Sequence, residues 1–301
     1  MPASSLPAFI AVDWGTTSFR AALITGDGSV VDELSQARGA LSLQPSEFAP
    51  YLEQTCAHFV AKGGQSFLLS GMVGSKQGML EAPYCPCPAS AAHIATHVVW
   101  AIKDRVAIVP GVRSAFDDVM RGEETQVLGA ALALGVQDAL VVLPGTHSKW
   151  VRLQAGAITG FDTFMTGEFY ALLCTHSILA KSMPATPSNT LDQAAFLQGI
   201  DHTMHSPSLL NGAFSLRVKS LFGQLHSDQA DSYLSGLVIG EELKSIHIKP
   251  GIETLIVGAQ SLTERYAIAL AHTDKPARTC GGTQAAWLGL HNIYVQLHKN
   301  G

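Results

Sequence analysis

Apolar residues open the chain in short runs separated by polar, glycine-bearing turns. Phe9–Val12 is one such run and ends at Asp13. Trp14-Gly15-Thr16-Thr17 makes a polar turn, and a second strand follows through Ile24. Gly26-Asp27-Gly28-Ser29 is a strong turn signal before Val30-Val31, so the spacing predicts a three-stranded meander. Ser46–Ala61 reads as a helix with Phe48, Leu52, Cys56 and Phe59 on one face. Phe67-Leu68-Leu69 reads as a buried strand running into the glycine-rich segment Ser70–Ser75. Val106–Val109 is a further strand, stopped by Pro110-Gly111, and Glu123–Leu134 reads as a helix.

The opening pattern then returns. Ala139–Leu143 is a strand, Gly145-Thr146-His147-Ser148 a polar turn, Trp150–Leu153 a strand, Gln154-Ala155-Gly156 a turn and Ile158–Phe161 a strand. The two Gly-Thr turns lie 145 − 15 = 130 positions apart. Two strand–turn–strand units in the two halves predict two lobes of like design, residues 1–133 and 134–301. The last helix, 284–298, is expected to pack back at their junction. Pro184, Pro187, Ser188, Asn189 and Pro207 mark 184–212 as loop-rich. Asp228–Leu243 reads as a helix and Thr254–Val257 as a strand leading to Gly258. Ser261-Leu262-Thr263-Glu264 has the capping-box pattern, opening a helix through Leu270. Thr279–Thr283 leads into the final helix.

Composition narrows the class. The 301 residues suffice for two domains with full-sized cores. A chain that is 47% hydrophobic and 14% charged is not disordered, yet every apolar run breaks well before the ~18 residues a membrane span needs. The N-terminus has no Lys or Arg before its first apolar run, unlike a signal peptide. With a net charge of −5 and no Lys/Arg cluster, a nucleic-acid partner is not expected. Five scattered cysteines point to a reducing, cytoplasmic setting. Cys85-Pro-Cys87 is tighter than ordinary zinc spacing, and His93 and His97, at i and i+4, have no third ligand in view. These histidines read as surface or packing residues. A homodimer is left open.

The turns carry the candidate chemistry. No Walker A motif and no Gly-x-Gly-x-x-Gly after the first strand are present. Asp13, at a strand end, is a candidate ligand for Mg²⁺. Gly15 lets backbone N–H groups approach a phosphate, and Thr16 and Thr17 add hydroxyl donors. Gly145, Thr146 and Lys149 repeat that character in the second half. Gly258, and Gly281 with Gly282, join strands to helices and are candidates for the adenosine. Glu123 and Glu124 are candidates for a general base, although acids also favour a helix's first turn for its dipole. Arg121 and Arg20, with Gly74 and Ser75 of the glycine-rich turn, are candidates for gripping an acidic substrate.

Together these residues resemble a known group. Asp13-Trp14-Gly15-Thr16-Thr17 and Gly145–Lys149 resemble the two phosphate motifs of the acetate and sugar kinase/Hsp70/actin superfamily. More narrowly, Gly71–Ser75, Ala82-Pro83-Tyr84, Val119–Gln126, Pro144–His147 with Lys149-Trp150-Val151, Met165–Glu168, Leu234–Leu237 with Ile239-Gly240, and Ser261-Leu262-Thr263 with Arg265-Tyr266 resemble the 2-dehydro-3-deoxygalactonokinase family in consistent order. The resemblance implies an α/β fold of two RNase H-like (actin-like ATPase) lobes with ATP and Mg²⁺ in the cleft. It also implies phosphorylation of 2-dehydro-3-deoxy-D-galactonate at its 6-hydroxyl. It supports an acidic role at Glu123 or Glu124 without choosing between them. The alternatives are a kinase for another sugar acid, an exopolyphosphatase-like hydrolase and a non-catalytic sugar sensor. A hydrolase would want a basic groove that the sequence does not show. A regulator usually carries a DNA-binding segment, for which a first strand at residue 9 leaves little room. Cys85-Pro-Cys87-Pro88 departs from the family pattern.

Overall fold

The computed structural model describes residues 6–184 and 190–299; Pro187, Ser188 and Asn189 of the expected loop lie outside the described residues. The opening meander forms as predicted from β1 (Phe9–Trp14), β2 (Phe19–Ile24) and β3 (Val30–Gln36). All of β1 is buried, which is why it reads as a continuous apolar run and not as an alternation. β4 (Ser66–Gly71) lies parallel to β1, β7 (Val106–Ile108) parallel to β4, and β6 (Val99–Ile102) antiparallel to β7. The resulting order is β3-β2-β1-β4-β7-β6. A second large sheet comprises β10 (Ala139–Leu143), β11 (Ser148–Gln154), β12 (Ala157–Phe164), β13 (Glu253–Gly258) and β14 (Ala277–Gly281) in the order β12-β11-β10-β13-β14. The repeat in sequence is thus a repeat in topology: three consecutive strands, the first innermost, extended by later ones. A small third sheet, missed in the sequence, joins β5 (Cys85–Pro86), β8 (Val112–Arg113) and β9 (Val119–Met120).

The chain clusters into two compact units. The first holds Met1–Val141, Val151–Phe161 and Cys280–Gly301; the second holds Val142–Trp150 and Asp162–Thr279. In the first, the expected helix over 46–61 is α1 (Phe48–Thr55) and α2 (Ala57–Ala61), with a break at Cys56. Phe48, Leu52, Cys56 and Phe59 still share a core with Ile10, Val12, Trp14 and Leu69. A short helix, α3 (Ala91–Ala95), follows β5. α4 (Glu123–Leu134) has the predicted bounds and ends on Gly135, whose φ of 70° suits a left-handed helix stop.

α4 packs along the C-terminal helix α11 (Gly282–Lys299) with backbones nearly touching. A Cβ on Gly129 would lie 1.8 Å from the Ala285 carbonyl oxygen, and one on Gly289 would lie 1.9 Å from that of Thr125. Gly129→Ala is therefore expected to destabilise the protein by about 1–3 kcal/mol or more, as overpacked cores do. A lowered denaturant midpoint at unchanged m-value would show it.

The second unit carries α5 (Thr166–His176), α6 (Gln193–His205), α7 (Leu209–Gly212), α8 (Phe214–Leu221), α9 (Ala230–Ser245) and α10 (Gln260–His272). The expectation of loop over 184–212 is corrected by α6, which Asp192 caps through the Ala195 N–H at 2.9 Å. α6 packs on α9 where a Cβ on Gly236 would meet the Phe196 carbonyl oxygen at 2.0 Å. The capping box at Ser261 is also corrected. α10 begins at Gln260 after Ala259, without a side-chain cap, and Glu264 accepts from Gln260 Nε2 instead. No helix among the described residues is long and apolar enough to cross a membrane. All five cysteines are free.

Candidate active site

In the first unit the ends of β1 and β4 and the start of β2 converge with the starts of α4 and α11. Asp13 faces Arg20 across the β1–β2 ladder and Ser70 across the β1–β4 ladder. Arg20 donates from Nη2 to Asp13 Oδ2 at 2.7 Å and from Nη1 to Thr283 Oγ1, in the first turn of α11, at 3.2 Å. Burial raises the Asp13 pKa, opposed by the Arg20 charge and then by a hydrogen bond from Gln126 of α4. Arg20, expected as a substrate grip, is thus placed as the counter-ion of Asp13. The turn after Asp13 is closed by the Gly15 N–H donating to the Ser18 carbonyl at 2.9 Å. Thr16 and Thr17 are exposed at its tip. A Cβ on Gly15 would meet nothing nearer than 3.4 Å.

β4 ends at Gly71, whose φ of 92° turns the chain sharply where a Cβ would strike the Trp14 carbonyl at 2.5 Å. Gly122, with φ 104°, sits against Gly71 and starts α4. This close approach brings Glu123 and Glu124 to the Gly71–Ser75 segment, and the two acids have different surroundings. Glu123 is half-buried and its Oε2 accepts from the Arg121 N–H at 2.9 Å. Glu124 is fully buried; its Oε2 accepts from the Gly122 N–H at 2.7 Å, while Oε1 has no partner. Burial first, and the neighbouring Glu123 charge second, push the Glu124 pKa up to about 8.

Arg121 lies beside them. Its Nη2 donates to the Ala82 carbonyl at 2.8 Å, its guanidinium covers the Tyr84 ring at 4.3 Å from the centroid, and buried Nε and Nη1 have no partner. A Cβ on Gly74 would fall 2.8 Å from Nη1, so the glycine makes room for the guanidinium. Ser75 is half-buried and closes the turn by donating its N–H to the Met72 carbonyl.

In the second unit the turn between β10 and β11 repeats the first in its exposure: Gly145 half-buried, Thr146 and His147 exposed, Ser148 buried. A Cβ on Gly145 would meet nothing closer than 3.9 Å. Lys149 is a buried residue of β11, donating to Thr163 Oγ1 at 2.9 Å. Gly167, opening α5, is pressed against this turn, its missing Cβ 2.5 Å from the Gly145 carbonyl. The adenosine candidates are less defined. Gly281 has open space where a Cβ would be, and Gly258 only ordinary contacts at 3.8 Å. Gly282 is the buried first residue of α11.

One residue of this turn's support went unread in the sequence. Glu242 of α9 is buried and accepts from Ser148 Oγ at 2.7 Å, Tyr266 Oη at 2.8 Å, Thr166 Oγ1 at 2.5 Å and Trp150 Nε1. Burial raises its pKa against those hydrogen bonds. It ties β11, just after the Gly145 turn, to the start of α5, which presses on that turn. The available signal was Gly-Glu-Glu directly after the apolar run Leu237–Ile239.

Comparison with known proteins finds relatives over nearly the whole chain. A family profile described as 2-keto-3-deoxy-galactonokinase matches residues 13–293. The 2-dehydro-3-deoxygalactonokinase of Escherichia coli strain K12 is 34% identical over 291 residues, covering 95% of this chain and 97% of its own. A crystal structure from Sinorhizobium meliloti, described as a candidate 2-dehydro-3-deoxygalactonokinase, is 35% identical with a TM-score of 0.87, covering 95% of this chain and 97% of its own. The activator of 2-hydroxyisocaproyl-CoA dehydratase from Clostridium difficile, solved with bound ADPNP, shares the fold at a TM-score of 0.53 and 10% identity, over 97% of each chain.

Proposed function

Since this chain belongs to the 2-keto-3-deoxy-galactonokinase family, we propose that it transfers the γ-phosphoryl group of ATP to the 6-hydroxyl of 2-dehydro-3-deoxy-D-galactonate. The products are ADP and 2-dehydro-3-deoxy-6-phosphogalactonate. The observation that carries the acid substrate is Arg121. A buried guanidinium with two unpartnered nitrogens is costly until an anion supplies the acceptors. A carboxylate oxygen is such an acceptor, and its charge strengthens the bond.

The residues fit ATP and Mg²⁺. Asp13 offers a carboxylate at a strand end, Thr16 and Thr17 offer exposed hydroxyls beside an unobstructed Gly15, and Thr146 does the same beside Gly145. Asp13 would hold the Mg²⁺, which when bound neutralises charge on the phosphates. Gly15, Thr16 and Thr17 are proposed for phosphate binding, as are Gly145, Thr146 and the Lys149 charge. Gly258, Gly281 and Gly282 are proposed for the adenosine. The repeated strand order supports a finer fold assignment, that each large sheet is an RNase H-like lobe of the actin-like kind. Glu124 is the proposed base: its unpartnered Oε1 takes the proton of the 6-hydroxyl as that oxygen bonds to phosphorus and the bond to the ADP oxygen breaks. A pKa near the working pH suits this task.

A coupled assay of ADP release tests the reading. Release is expected with 2-dehydro-3-deoxygalactonate and not without an acid acceptor. Release that needs no acid would favour a hydrolase, and release with a different sugar acid alone would reject this substrate. Arg121→Lys is expected to raise KM for the acid by about 10–100-fold, as loss of charged hydrogen bonds worth ~1.5–3 kcal/mol implies. KM for ATP should be little changed.

A further inference from the structure

The sequence shows two histidines one helical turn apart and a Cys-Pro-Cys segment, and neither by itself makes a metal site. The fold joins them. β5 pairs with β8 and sets Cys85 fully buried beneath α3. Ser90 caps α3 by accepting the His93 N–H, which orients the helix bearing His93, and His97 follows in the turn that closes it, its N–H donating to the Ile94 carbonyl at 3.0 Å. The ligand atoms of Cys85, His93 and His97 then lie within 4.8 Å of one another. An ion with bonds of about 2.0–2.3 Å would draw such atoms together to under roughly 4 Å, a small closure.

The imidazoles are also set in one tautomer. His93 Nδ1 lies 2.8 Å from the Pro88 carbonyl oxygen, and His97 Nδ1 lies 3.0 Å from that of His93. A carbonyl only accepts, so each Nδ1 carries the hydrogen and each Nε2 keeps its lone pair. An outer hydrogen bond of this kind is the usual way a protein orients a histidine toward a metal. The rings stand nearly perpendicular, at 81°, with centroids 4.8 Å apart.

We propose that Cys85, His93 and His97 form a binding site for a borderline-soft divalent cation, Zn²⁺ or one like it, with Cys85 as thiolate. One sulfur and two imidazole nitrogens are a zinc-type donor set, and they leave a fourth position for solvent or for Cys87. The ion would clamp the segment from β5 to α3 immediately after Tyr84, the ring on which Arg121 rests. The site therefore belongs to the scaffold of the substrate-acid grip and takes no part in phosphoryl transfer.

The test is Co²⁺ and Zn²⁺ binding to the chelator-stripped full chain, read by absorption. Co²⁺ is expected to give thiolate-to-cobalt charge transfer and tetrahedral visible bands, and Zn²⁺ to bleach both. Cys85→Ser should abolish the charge transfer. His93→Ala and His97→Ala should each weaken Zn²⁺ binding by more than the roughly 10–100-fold that an outer-shell loss costs. Cys174→Ser should bind as wild type. Absence of charge transfer in the wild-type chain overturns the proposal, as does a band that survives Cys85→Ser but not Cys87→Ser. Should Cys85→Ser fail to fold, a His93→Ala/His97→Ala chain that still binds Zn²⁺ at full strength overturns it equally.

Discussion

Asp13→Asn is expected to lower kcat by about 10²-fold or more, as removal of one preorganised charge from a transfer site does, while sugar-acid binding stays near wild type. The substitution keeps the shape and one acceptor oxygen, so β1 and its ladders are undisturbed. What it removes is the negative charge at the strand end. Arg20 and Gln126 already hold that carboxylate in place, and burial works against its ionisation. A cation arriving with the nucleotide would favour the charged form, and asparagine cannot supply it. The acid grip on Arg121 and Gly74 is built from other elements and does not touch Asp13. Stability is expected to fall by about 1–3 kcal/mol, between the values for exposed and buried pairs, because Arg20 keeps Thr283 and is 29% exposed. Steady-state kinetics and calorimetric titration of the acid separate the outcomes. Near-normal turnover would remove Asp13 from the mechanism, and loss of acid binding as well would show that the change had damaged the fold.

The sequence told most where local pattern and tertiary role coincide. β10 and α4 have the predicted bounds because an unbroken apolar run and a helix closed by Gly135 need no distant information. The Asp13–Thr17 and Gly145–Lys149 turns were legible as a repeat, and the repeated strand order accounts for it. Other features need distance. α5 has no buried residue, and its unbroken apolar run Phe169–Cys174 marks no single face. α6 hides its buried face behind Gly199 and Thr203, which fit because α9 comes so close. Glu242 acts on Ser148 from 94 positions away. Cys85 meets His93 and His97 only through the small sheet and the turn of α3. The choice between Glu123 and Glu124 was undecidable from order in the chain. Both occupy the first turn of a helix, where acids are common for the dipole, and burial alone distinguishes them.

That distinction leads to opposite effects of one substitution. Glu124→Gln is expected to reduce kcat by about 10²–10⁴-fold, the usual contribution of a general base, and to relieve an alkaline cost to stability. Unfolded, Glu124 loses its proton near 4.5; folded, it keeps it up to about 8. Between those values the folded chain binds the extra proton, so stability falls as pH rises, by about 1.4 kcal/mol per unit. The contribution is fully present below the lower value and lost as pH passes through the upper. The charges around it, Glu123 raising and Arg121 lowering, are outweighed by burial. Glutamine does not titrate. In nucleotide-free protein the wild type should therefore lose stability from pH 5 to pH 8 relative to the variant, as denaturation at the two pH values would show. The same ionisation should appear in catalysis: wild-type kcat/KM is expected to climb about tenfold per pH unit below about 8, and the residual activity of the variant to lack that limb. Glu123→Gln, which alters a group tied to the Arg121 N–H, should keep both the limb and the stability slope, their upper end moved down because the Glu123 charge no longer raises the Glu124 pKa. If instead turnover collapses in Glu123→Gln and survives in Glu124→Gln, the base is Glu123, and the buried acid is a fixture of the helix start.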